Sequence, residues 1–234
     1  MQSRPLFSIV IPVFNEEDNI KFLIASIENA LVAYRYELIF VDDFSSDASC
    51  EMIKSNANPY TTLIAFEHHR GQSSALASGI KRARGHYIVT MDGDLQNDPS
   101  DIPKMLGIIQ NEDLDMVIGF RQNRQDPFLK TTPSKIANFV IRMTTQLQIR
   151  DSGCALKVMT SKIAKELPLY GELHRFMALN AYLRGARIKE VPVIHHPRIH
   201  GASKYGLERT YKVLKDLSQI LITHKKAYSK RVRT

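Results

Sequence analysis

Apolar runs and amphipathic segments alternate along the first half of the chain. The apolar runs have the length and β-branched content of strands, and they fall at residues 6–14, 36–43, 61–69, 86–94 and 115–120. The segments between them show helical periodicity. In the first of these segments the apolar residues share one face: Ile20, Leu23, Ile24, Ile27 and Leu31. Strands that are apolar throughout and alternate with helices predict a parallel sheet covered on both faces, and therefore a doubly wound α/β unit over residues 1–121.

The second half of the chain is less regular. A helix is predicted at residues 132–148, and strands are predicted at 154–160 and 187–199, with a helix at 172–185 between them. Residues 206–223 place leucines on one helical face and Lys and Arg on another, which predicts a basic amphipathic helix.

The net charge of +8 is concentrated at the end of the chain. Residues 204–234 contain nine Lys or Arg against Glu208 and Asp216, so the remainder is nearly neutral. This balance indicates an anionic partner, such as a membrane surface, unless the segment is simply a solvated chain end. A nucleic-acid partner is not expected, because aromatic residues do not interleave with the basic ones.

Cysteine content and hydropathy favour a cytoplasmic setting. Cys50 and Cys154 do not make a disulfide framework, and the N-terminal apolar run has no cleavage site of the kind found in a signal peptide. No run of eighteen apolar residues is present, so we expect no transmembrane helix within this sequence.

Charged and amide side chains follow four of the five predicted strands. They are Asn15, Glu16 and Glu17 after the first strand, Asp42 and Asp43 after the second, Asp92 and Asp94 after the fourth, and Arg121 after the fifth. The carboxyl ends of parallel strands share one edge of a sheet, and ligands bind beyond that edge. The sequence therefore predicts a ligand site there.

The segment from Asp92 to Gln96 has the composition of a site for a hard divalent cation. Asp92 and Asp94, separated by one residue, offer the carboxylate oxygen atoms that Mg²⁺ and Mn²⁺ prefer, and Gln96 adds a neutral oxygen. Such ions usually keep positions for substrate phosphates. Gly93 allows a backbone or ligand to approach closely. A solvated turn with acidic helix caps is the alternative, because a lone D-x-D pattern is common.

Four segments together resemble family 2 glycosyltransferases of the GT-A fold. The segments are "SIVIPVFNEEDNI", "ELIFVDDFSSD", "HHRGQSSALASGIKRARGHYIVTMDGDLQ" and "RIHGASKYG". The most similar subgroup is that of the polyprenyl-phosphate sugar transferases, which includes dolichol-phosphate mannose synthase. The resemblance implies a doubly wound, mostly parallel sheet with a Rossmann-like nucleotide-binding half and a C-terminal amphipathic helix. It implies a catalytic domain at 1–206, divided into a nucleotide-sugar half (1–121) and an acceptor half (122–206), and a membrane-surface segment at 207–234.

The resemblance also implies which residues bind the nucleotide sugar. These are Pro12, Phe14, Asn15, Glu16, Val41, Asp43, Asp92, Gly93, Asp94, Gln96, Arg198 and Lys204. Phe14 would stack on the base or ribose, and Val41 and Asp43 would flank the base. Asp94 and Gln96 would bind the metal, Mg²⁺ or Mn²⁺. Asp42 is instead interpreted as a cap of its turn.

Other matching positions concern catalysis and the acceptor. Arg121 would lie near the phosphates of both substrates, and Lys130 and Ser134 would bind the acceptor phosphate. Relatives often have Arg at the position of Lys130, and Lys lacks the bidentate fork of Arg. Arg198 and Lys204 would reach over the diphosphate, with Ser203 adding a hydroxyl. The catalytic set implied by the resemblance is Asp94, Arg121, Arg198 and Lys204.

Two histidine pairs and one aspartate complete the candidates. Adjacent histidines on a strand point to opposite faces, so His68–His69 and His195–His196 are interpreted as packing or surface residues and not as metal ligands. Asp151, in a turn that shapes the acceptor side in the family, would be an orienting group or a buried cap.

The function implied by the resemblance is inverting, metal-dependent transfer of a sugar from a UDP- or GDP-sugar to an undecaprenyl or dolichyl phosphate. The enzyme would be peripheral on the cytoplasmic face of a membrane, and its partners could include further copies of itself in a homo-oligomer. One alternative is the same fold with a polysaccharide or protein acceptor. The other is a non-enzymatic signalling or binding module that uses the acidic pocket around Asp42 and Asp43, because paired aspartates also follow strands in receiver domains.

Overall fold

A mostly parallel sheet of seven strands organises the protein, whose computed structural model describes residues 5–121, 145, 147, 149–199 and 215–220. The strands are β1 (Phe7–Val13), β2 (Tyr36–Asp42), β3 (Thr61–Ala65), β4 (Tyr87–Thr90), β5 (Met116–Arg121), β6 (Lys157–Thr160) and β7 (Ile188–Val193). The helices are α1 (Glu17–Ala30), α2 (Ser49–Asn56), α3 (Gln72–Arg82), α4 (Asp101–Asn111), α5 (Ser161–Glu166) and α6 (Met177–Leu183). A 3₁₀ helix (Leu173–Phe176) directly precedes α6.

The strand order is β3-β2-β1-β4-β6-β5-β7. β2, β1 and β4 are parallel neighbours, which confirms the predicted doubly wound half. β6 lies between β4 and β5 and is antiparallel to both, an orientation that the sequence pattern does not reveal. The chain order reverses between β1 and β4, so the sheet has its topological switch point at these two central strands.

Alternate residues of each central strand pack into two separate hydrophobic cores, one on each face of the sheet. Val10, Ile39 and Val41 belong to the core beneath α3 and α6, whereas Ile9 and Phe40 belong to the core beneath α1 and α4. All five side chains are fully buried. This alternation explains why the strands read as continuous apolar runs, since both faces of the sheet are covered by helices.

The helical pattern predicts α1 well and the 172–185 segment only in part. The five apolar residues predicted to share a face of α1, Ile20, Leu23, Ile24, Ile27 and Leu31, are all at most 3% exposed, which confirms that prediction. Residues 172–185 were predicted as one helix, but the structure has the 3₁₀ helix and α6 in succession. The 3₁₀ turn is tied to α3, because the backbone N–H of His174 donates to Ser73 Oγ at 3.1 Å.

Several predicted features lie outside the described residues. These are most of the helix at 132–148, the domain boundaries after residues 121 and 206, and most of the amphipathic helix at 206–223. Within that last segment residues 215–220 are helical, and Leu217, from the predicted apolar face, is buried. None of the helices in the described ranges has the length and hydropathy needed to cross a bilayer.

Gly85 is a position where packing demands glycine. A Cβ atom there would lie 2.6 Å from both the carbonyl carbon of Phe7 and the amide nitrogen of Ser8, which are main-chain atoms of the central strand β1. We predict that Gly85→Ala lowers the free energy of unfolding by about 2–3 kcal/mol, measured by urea denaturation. Gly107→Ala is the matched control, because nothing lies within 4 Å of a Cβ at that helical position. The control is expected to be unchanged or about 0.5–1 kcal/mol more stable; equal losses in both variants would contradict the packing argument.

Candidate functional site

The candidate site lies beyond the carboxyl ends of β1, β2 and β4. The loops that leave these strands are held together at the switch point by main-chain hydrogen bonds. The N–H of Asp43 donates to the carbonyl of Val13 at 2.8 Å, and the N–H of Met91 donates to the carbonyl of Val10 at 3.4 Å. The predicted convergence of polar residues at one edge of the sheet is therefore confirmed.

The loops after β1 and β2 interlock through side chains. Asn15 has a φ of 54°, and its side-chain oxygen accepts a hydrogen bond from the N–H of Ser46 at 2.8 Å. Its own N–H donates to Ser45 Oγ at 2.9 Å. The Asp42 carboxylate accepts hydrogen bonds from the N–H and hydroxyl of Ser45 at 3.0 and 2.5 Å, so Asp42 caps this turn, as predicted. Glu16 is fixed similarly, since its N–H donates to Ser49 Oγ at 2.8 Å.

Asp43 organises the entry to α3. Its two carboxylate oxygens accept hydrogen bonds from the N–H groups of Arg70 and Gly71 at 2.7 and 2.8 Å. His69 Nδ1 lies 3.0 Å from the same carboxylate, and the ring of Phe14 packs against the His69 ring with centroids 4.9 Å apart. Phe14, Asp43 and His69 thus form one wall of the site.

Two predicted nucleotide-binding residues, Pro12 and Val41, belong to the strands themselves. Pro12 is half-buried in β1. The Val41 side chain is fully buried and packs in the core beneath α3, so it lies away from the surface formed by Phe14 and Asp43. A contact between that side chain and a base stays a prediction. The sequence motif does not distinguish a packing valine from a contacting one.

The turn after β4 brings Asp94 and Gln96 onto a single cationic group. Arg198 Nη2 lies 2.5 Å from Asp94 Oδ2 and 3.5 Å from Gln96 Oε1. Asp94 is 6% exposed. The residue between them, Leu95, has a φ of 61°, which turns the chain so that both side chains face the same way. Residues more than one hundred positions apart in the sequence therefore share one small charged cluster.

The segment that carries Arg198 is anchored to the same turn by its backbone. The N–H of His196 donates to the carbonyl of Gln96 at 2.9 Å, and the N–H of Ile194 donates to Asp101 Oδ2 at 2.7 Å. His195 forms an isolated antiparallel bridge with Asn97. The backbone position of Arg198 is thus fixed relative to Asp94.

Neither histidine pair makes a two-ligand site in the described structure. His195 faces Gln96, whereas His196 Nε2 pairs with Asp98 Oδ2 at 2.9 Å. Burial works to raise the pKa of Asp98, but hydrogen bonds from His196 and Ser100 outweigh it and hold that pKa below its usual value. The other pair is exposed, apart from the contact of His69 with Asp43.

A small pocket lies beside Asp92, and sequence reasoning missed most of its polar lining. Its polar side chains include Gln72, Asp92, Lys157, His174 and Arg175. Gln72 Nε2 donates to Asp92 Oδ1 at 2.8 Å. Lys157 is 4% exposed and donates to the carbonyl oxygen of Cys154. A lysine directly after the apolar run Cys154–Leu156 was the available signal, because lysine is rarely buried without a partner.

Burial in this pocket shifts two pKa values in opposite directions. Burial, together with the nearby charge of Asp94, raises the pKa of Asp92 to about 6, although Lys157, Arg175 and Arg121 oppose the rise. Burial lowers the pKa of Lys157, and the neighbouring anionic groups oppose that change. The pocket is therefore a place where charge is desolvated and available to a polar ligand.

Arg121 is clamped by Asp151 on the far side of the pocket. Its Nε and Nη2 donate to the two carboxylate oxygens of Asp151 at 2.6 and 2.9 Å, which is bidentate geometry. Asp151 is held in turn, because Glu190 Oε1 accepts hydrogen bonds from the N–H groups of Arg150 and Asp151. A Cβ on Gly153, which lines the pocket, would lie 3.7 Å from Arg121 Nη2. Asp151 thus orients Arg121 beside the pocket.

The donor set at the turn after β4 fits a hard divalent cation. Within the described ranges no cluster of three or more His, Cys, Asp or Glu side chains is arranged to hold a metal ion. Asp94 and Gln96 nevertheless direct two oxygen atoms at one cation, the Arg198 guanidinium. Two protein oxygens are a normal share for Mg²⁺ at a phosphate-binding site, where water and substrate phosphates complete the shell.

Some predicted site residues are not tested by this geometry. Lys130, Ser134, Ser203 and Lys204 lie outside the described residues. Gly93 is within them, and a Cβ there would meet its nearest atom, the Pro12 carbonyl oxygen, at an ordinary 3.5 Å. Packing within the chain therefore does not by itself require glycine at position 93.

Comparison with known proteins identifies a family and a set of relatives. A sequence model described as Glycosyl transferase family 2 matches residues 8–167. Dodecaprenyl-phosphate galacturonate synthase of Rhizobium johnstonii is 42% identical over 228 residues, covering 92% of this chain and 66% of the relative. Undecaprenyl-phosphate 4-deoxy-4-formamido-L-arabinose transferase of Edwardsiella ictaluri is 35% identical over 221 residues, covering 92% and 68%. The chain thus spans about two thirds of the length of these relatives.

The fold comparison agrees with the predicted architecture. The crystal structure of glucosyl-3-phosphoglycerate synthase from Mycobacterium tuberculosis, in complex with Mn²⁺ and uridine-diphosphate-glucose, superposes with a TM-score of 0.71 at 18% identity. The match covers 91% of this chain and 77% of that chain. The predicted GT-A fold is confirmed, while the C-terminal amphipathic helix beyond residues 215–220 stays a prediction.

The raised pKa of Asp92 predicts a pH-dependent stability. Its folded value of about 6 exceeds the ordinary 3.8, so the folded state binds the proton more tightly and the wild type loses stability as pH rises between about 4 and 6. Asp92→Asn removes that titration, and we predict that it is more stable than wild type by about 1–3 kcal/mol at pH 7.5, with no difference below about pH 4. Urea denaturation with a chelator present measures this. Asp113→Asn, in which the replaced side chain is 89% exposed, should show no such window; a variant less stable than wild type at pH 7.5 would refute the assignment.

Proposed function

Because the chain belongs to glycosyl transferase family 2, we propose that it transfers a sugar from a nucleotide diphosphate sugar to a polyprenyl phosphate. The observation that carries this proposal is the convergence of Asp94, Gln96 and Arg198 at the switch point of the sheet. A diphosphate needs cations where its charge builds up on leaving, and this cluster has both a cation and the oxygen atoms that hold one.

The nucleotide would lie across the edge beyond β1 and β2. Phe14 offers a ring for stacking, and the loops of Asn15 and Glu16 are already held by Ser45, Ser46 and Ser49. Asp43 uses both carboxylate oxygens on main-chain N–H groups, and His69 lies beside Oδ2, so Oδ1 is the oxygen with a lone pair left for a donor on the base.

The assignment of a lipid phosphate as acceptor is supported by the names of the relatives and by the position of Arg121. Both curated relatives named above are, by their names, enzymes of polyprenyl phosphates. Arg121 is a desolvated guanidinium fixed by Asp151 beside the pocket, and guanidinium groups are well suited to bind phosphate. We assign Arg121, with Lys130 and Ser134, to the acceptor phosphate.

The proposed reaction is a direct displacement that inverts the anomeric centre. An ionised phosphate oxygen of the acceptor attacks the anomeric carbon, the bond to the nucleoside diphosphate breaks, and the diphosphate carries away the electron pair. The acceptor phosphate is already anionic near neutral pH, so no strong general base is required. A divalent cation, Mg²⁺ or Mn²⁺, bound at Asp94 and Gln96 would supply charge neutralisation to the leaving group. Arg198 and Lys204 add positive charge to the same phosphates.

The pocket beside Asp92 is assigned to the transferred sugar. Its lining includes Asp92, two residues before Asp94, and Gly153, two residues after Asp151, so a sugar bound there would be near both proposed phosphate sites. Asp92 and Gln72 provide a hydrogen-bond acceptor and donor pair for sugar hydroxyls, and His174 and Arg175 add polar groups. These residues would orient the anomeric carbon toward the acceptor.

The proposed setting is the cytoplasmic surface of a membrane. A polyprenyl phosphate presents its phosphate at that interface, and the basic segment from residue 204 onward is suited to anionic lipid. The catalytic domain would extend over residues 1–206 and the membrane-surface segment over 207–234. A homo-oligomer is compatible with this placement.

Transfer into a lipid product tests the proposal directly. The purified protein, Mn²⁺ or Mg²⁺, undecaprenyl phosphate and radiolabelled UDP- or GDP-sugars are mixed, and label that partitions into organic solvent is counted. We predict metal-dependent lipid labelling that Asp94→Asn reduces by at least about a hundredfold. Asp113→Asn, an exposed aspartate before β5, is the matched control and should keep wild-type rates.

The other outcomes separate the alternatives. Release of nucleoside diphosphate with transfer of the sugar to a soluble glycan or protein, without lipid labelling, would support the glycosyltransferase function and reject the lipid acceptor. No binding of any nucleotide sugar by calorimetry, with metal present, would favour the non-enzymatic binding module instead.

The sugar pocket generates a separate prediction. Gln72→Ala removes the hydrogen bond to Asp92, so we expect kcat/KM for the nucleotide sugar to fall by about tenfold or more, because a partly buried polar contact in the proposed sugar pocket is lost. Gln110→Ala, at an exposed position near the end of α4, is the matched control and should leave kcat/KM unchanged. Equal values of kcat/KM in the two variants would contradict the assignment of Gln72 to the donor site.

A further inference from the structure

The guanidinium of Arg198 lies where the two proposed metal ligands converge. Its Nη2 atom is 2.5 Å from Asp94 Oδ2 and 3.5 Å from Gln96 Oε1. The Arg198 side chain is 24% exposed and that of Asp94 is 8% exposed, so this contact is a partly buried ion pair. One arginine nitrogen thus fills the position that a cation would take beside Asp94 and Gln96.

We infer that Arg198 and the divalent cation occupy this position in alternation. Arg198 neutralises Asp94 when no metal is bound, and it must leave Asp94 when the cation arrives. The inference rests on the metal site assigned above to Asp94 and Gln96, and it adds a competitive relation between two groups that otherwise act together on the diphosphate.

Distance and charge oppose simultaneous occupation of this position. A Mg²⁺ or Mn²⁺ ion bonded to Asp94 Oδ2 would stand about 2.1 Å from it, and Arg198 Nη2 is already 2.5 Å from the same oxygen. The other carboxylate oxygen accepts the N–H of Gln96 at 3.2 Å. Two cations in contact within a mostly buried site repel strongly, because solvent screens them poorly there. One of them must therefore leave.

The surrounding structure allows the side chain to leave while its backbone stays. The neighbouring backbone is fastened to the Asp94 turn through His196 and Ile194, whose N–H groups bond to Gln96 and Asp101. Only the flexible side chain of Arg198 has to swing. A guanidinium released in this way remains within a side-chain length of the metal, where the diphosphate of the donor would lie.

The competition predicts opposite effects of one substitution in two titrations. Mn²⁺ is titrated into the full chain without nucleotide, and free Mn²⁺ is followed by electron paramagnetic resonance. We predict that Arg198→Gln binds Mn²⁺ more tightly than wild type, on the order of tenfold, because a competing positive charge is removed. With UDP or GDP present, the same variant should bind the Mn²⁺–nucleotide complex more weakly, on the order of tenfold, because a charge-assisted hydrogen bond is lost.

Arg187→Gln is the matched control. Arg187 also forms an arginine–aspartate pair, with Asp113 at 2.8 Å, but it lies at the opposite end of β7 and is 56% exposed. Its substitution should change neither titration. If Arg198→Gln does not fold, Arg198→Lys carries the test: it keeps a charge but loses the planar fork, and Mn²⁺ binding should tighten by about two- to threefold.

Unchanged or weaker Mn²⁺ binding by a folded Arg198 variant in the absence of nucleotide would overturn the inference, since Arg198 would then be neutral toward the metal or part of its support. The metal titration needs neither sugar nor lipid. Its failure would therefore leave the proposed glycosyl transfer standing, whereas a missing lipid product would leave the alternation intact.

Discussion

The structure depends on hydrogen bonds and opposite charges that neutralise a cluster of carboxylates at one edge of a hydrophobic sheet. Asp42, Asp43, Asp92 and Asp94 all leave buried strands at nearly the same place, and none can be buried without partners. Each of these carboxylates has different hydrogen-bonding or charged partners. Asp42 accepts hydrogen bonds from Ser45, and Asp43 accepts them from the main chain before α3. Asp92 accepts a hydrogen bond from Gln72 and has the charge of Lys157 nearby. Asp94 pairs with Arg198.

These partners differ in how easily another group can replace them. That difference separates the carboxylates with a structural role from the one suited to bind a ligand. The partners of Asp42 are the N–H and hydroxyl of Ser45, and those of Asp43 are N–H groups directly before α3, so moving them would disturb the fold. The partner of Asp94 is the end of a long side chain whose backbone is pinned elsewhere. The carboxylate with the most replaceable partner is thus the one best placed to hold an exchangeable ion.

On the proposed acceptor side, the charges of the fixed group and its partner are reversed. Arg121, which is partly buried, is the cation there, and Asp151 holds it in a fixed orientation with support from Glu190. Between the two charged clusters, the Asp92 pocket contains ionisable groups whose pKa values are displaced by burial. Such displacement costs stability and is typical of functional sites, because the same desolvation strengthens contacts to a polar ligand.

The sequence by itself determined the parallel α/β half, the apolar face of α1 and the set of polar residues at the ends of the strands. These follow from local periodicity and from the rule that parallel strands end at a common edge. Tertiary structure decided the rest. The antiparallel β6 lies between β4 and β5 only because a long connection returns the chain there, and no local pattern encodes that return. The contact of Arg198 with Asp94, and the pocket that joins Gln72, Lys157 and His174, likewise bring together residues about one hundred positions apart. Their distances are set by the packing of whole elements, which local sequence patterns do not contain.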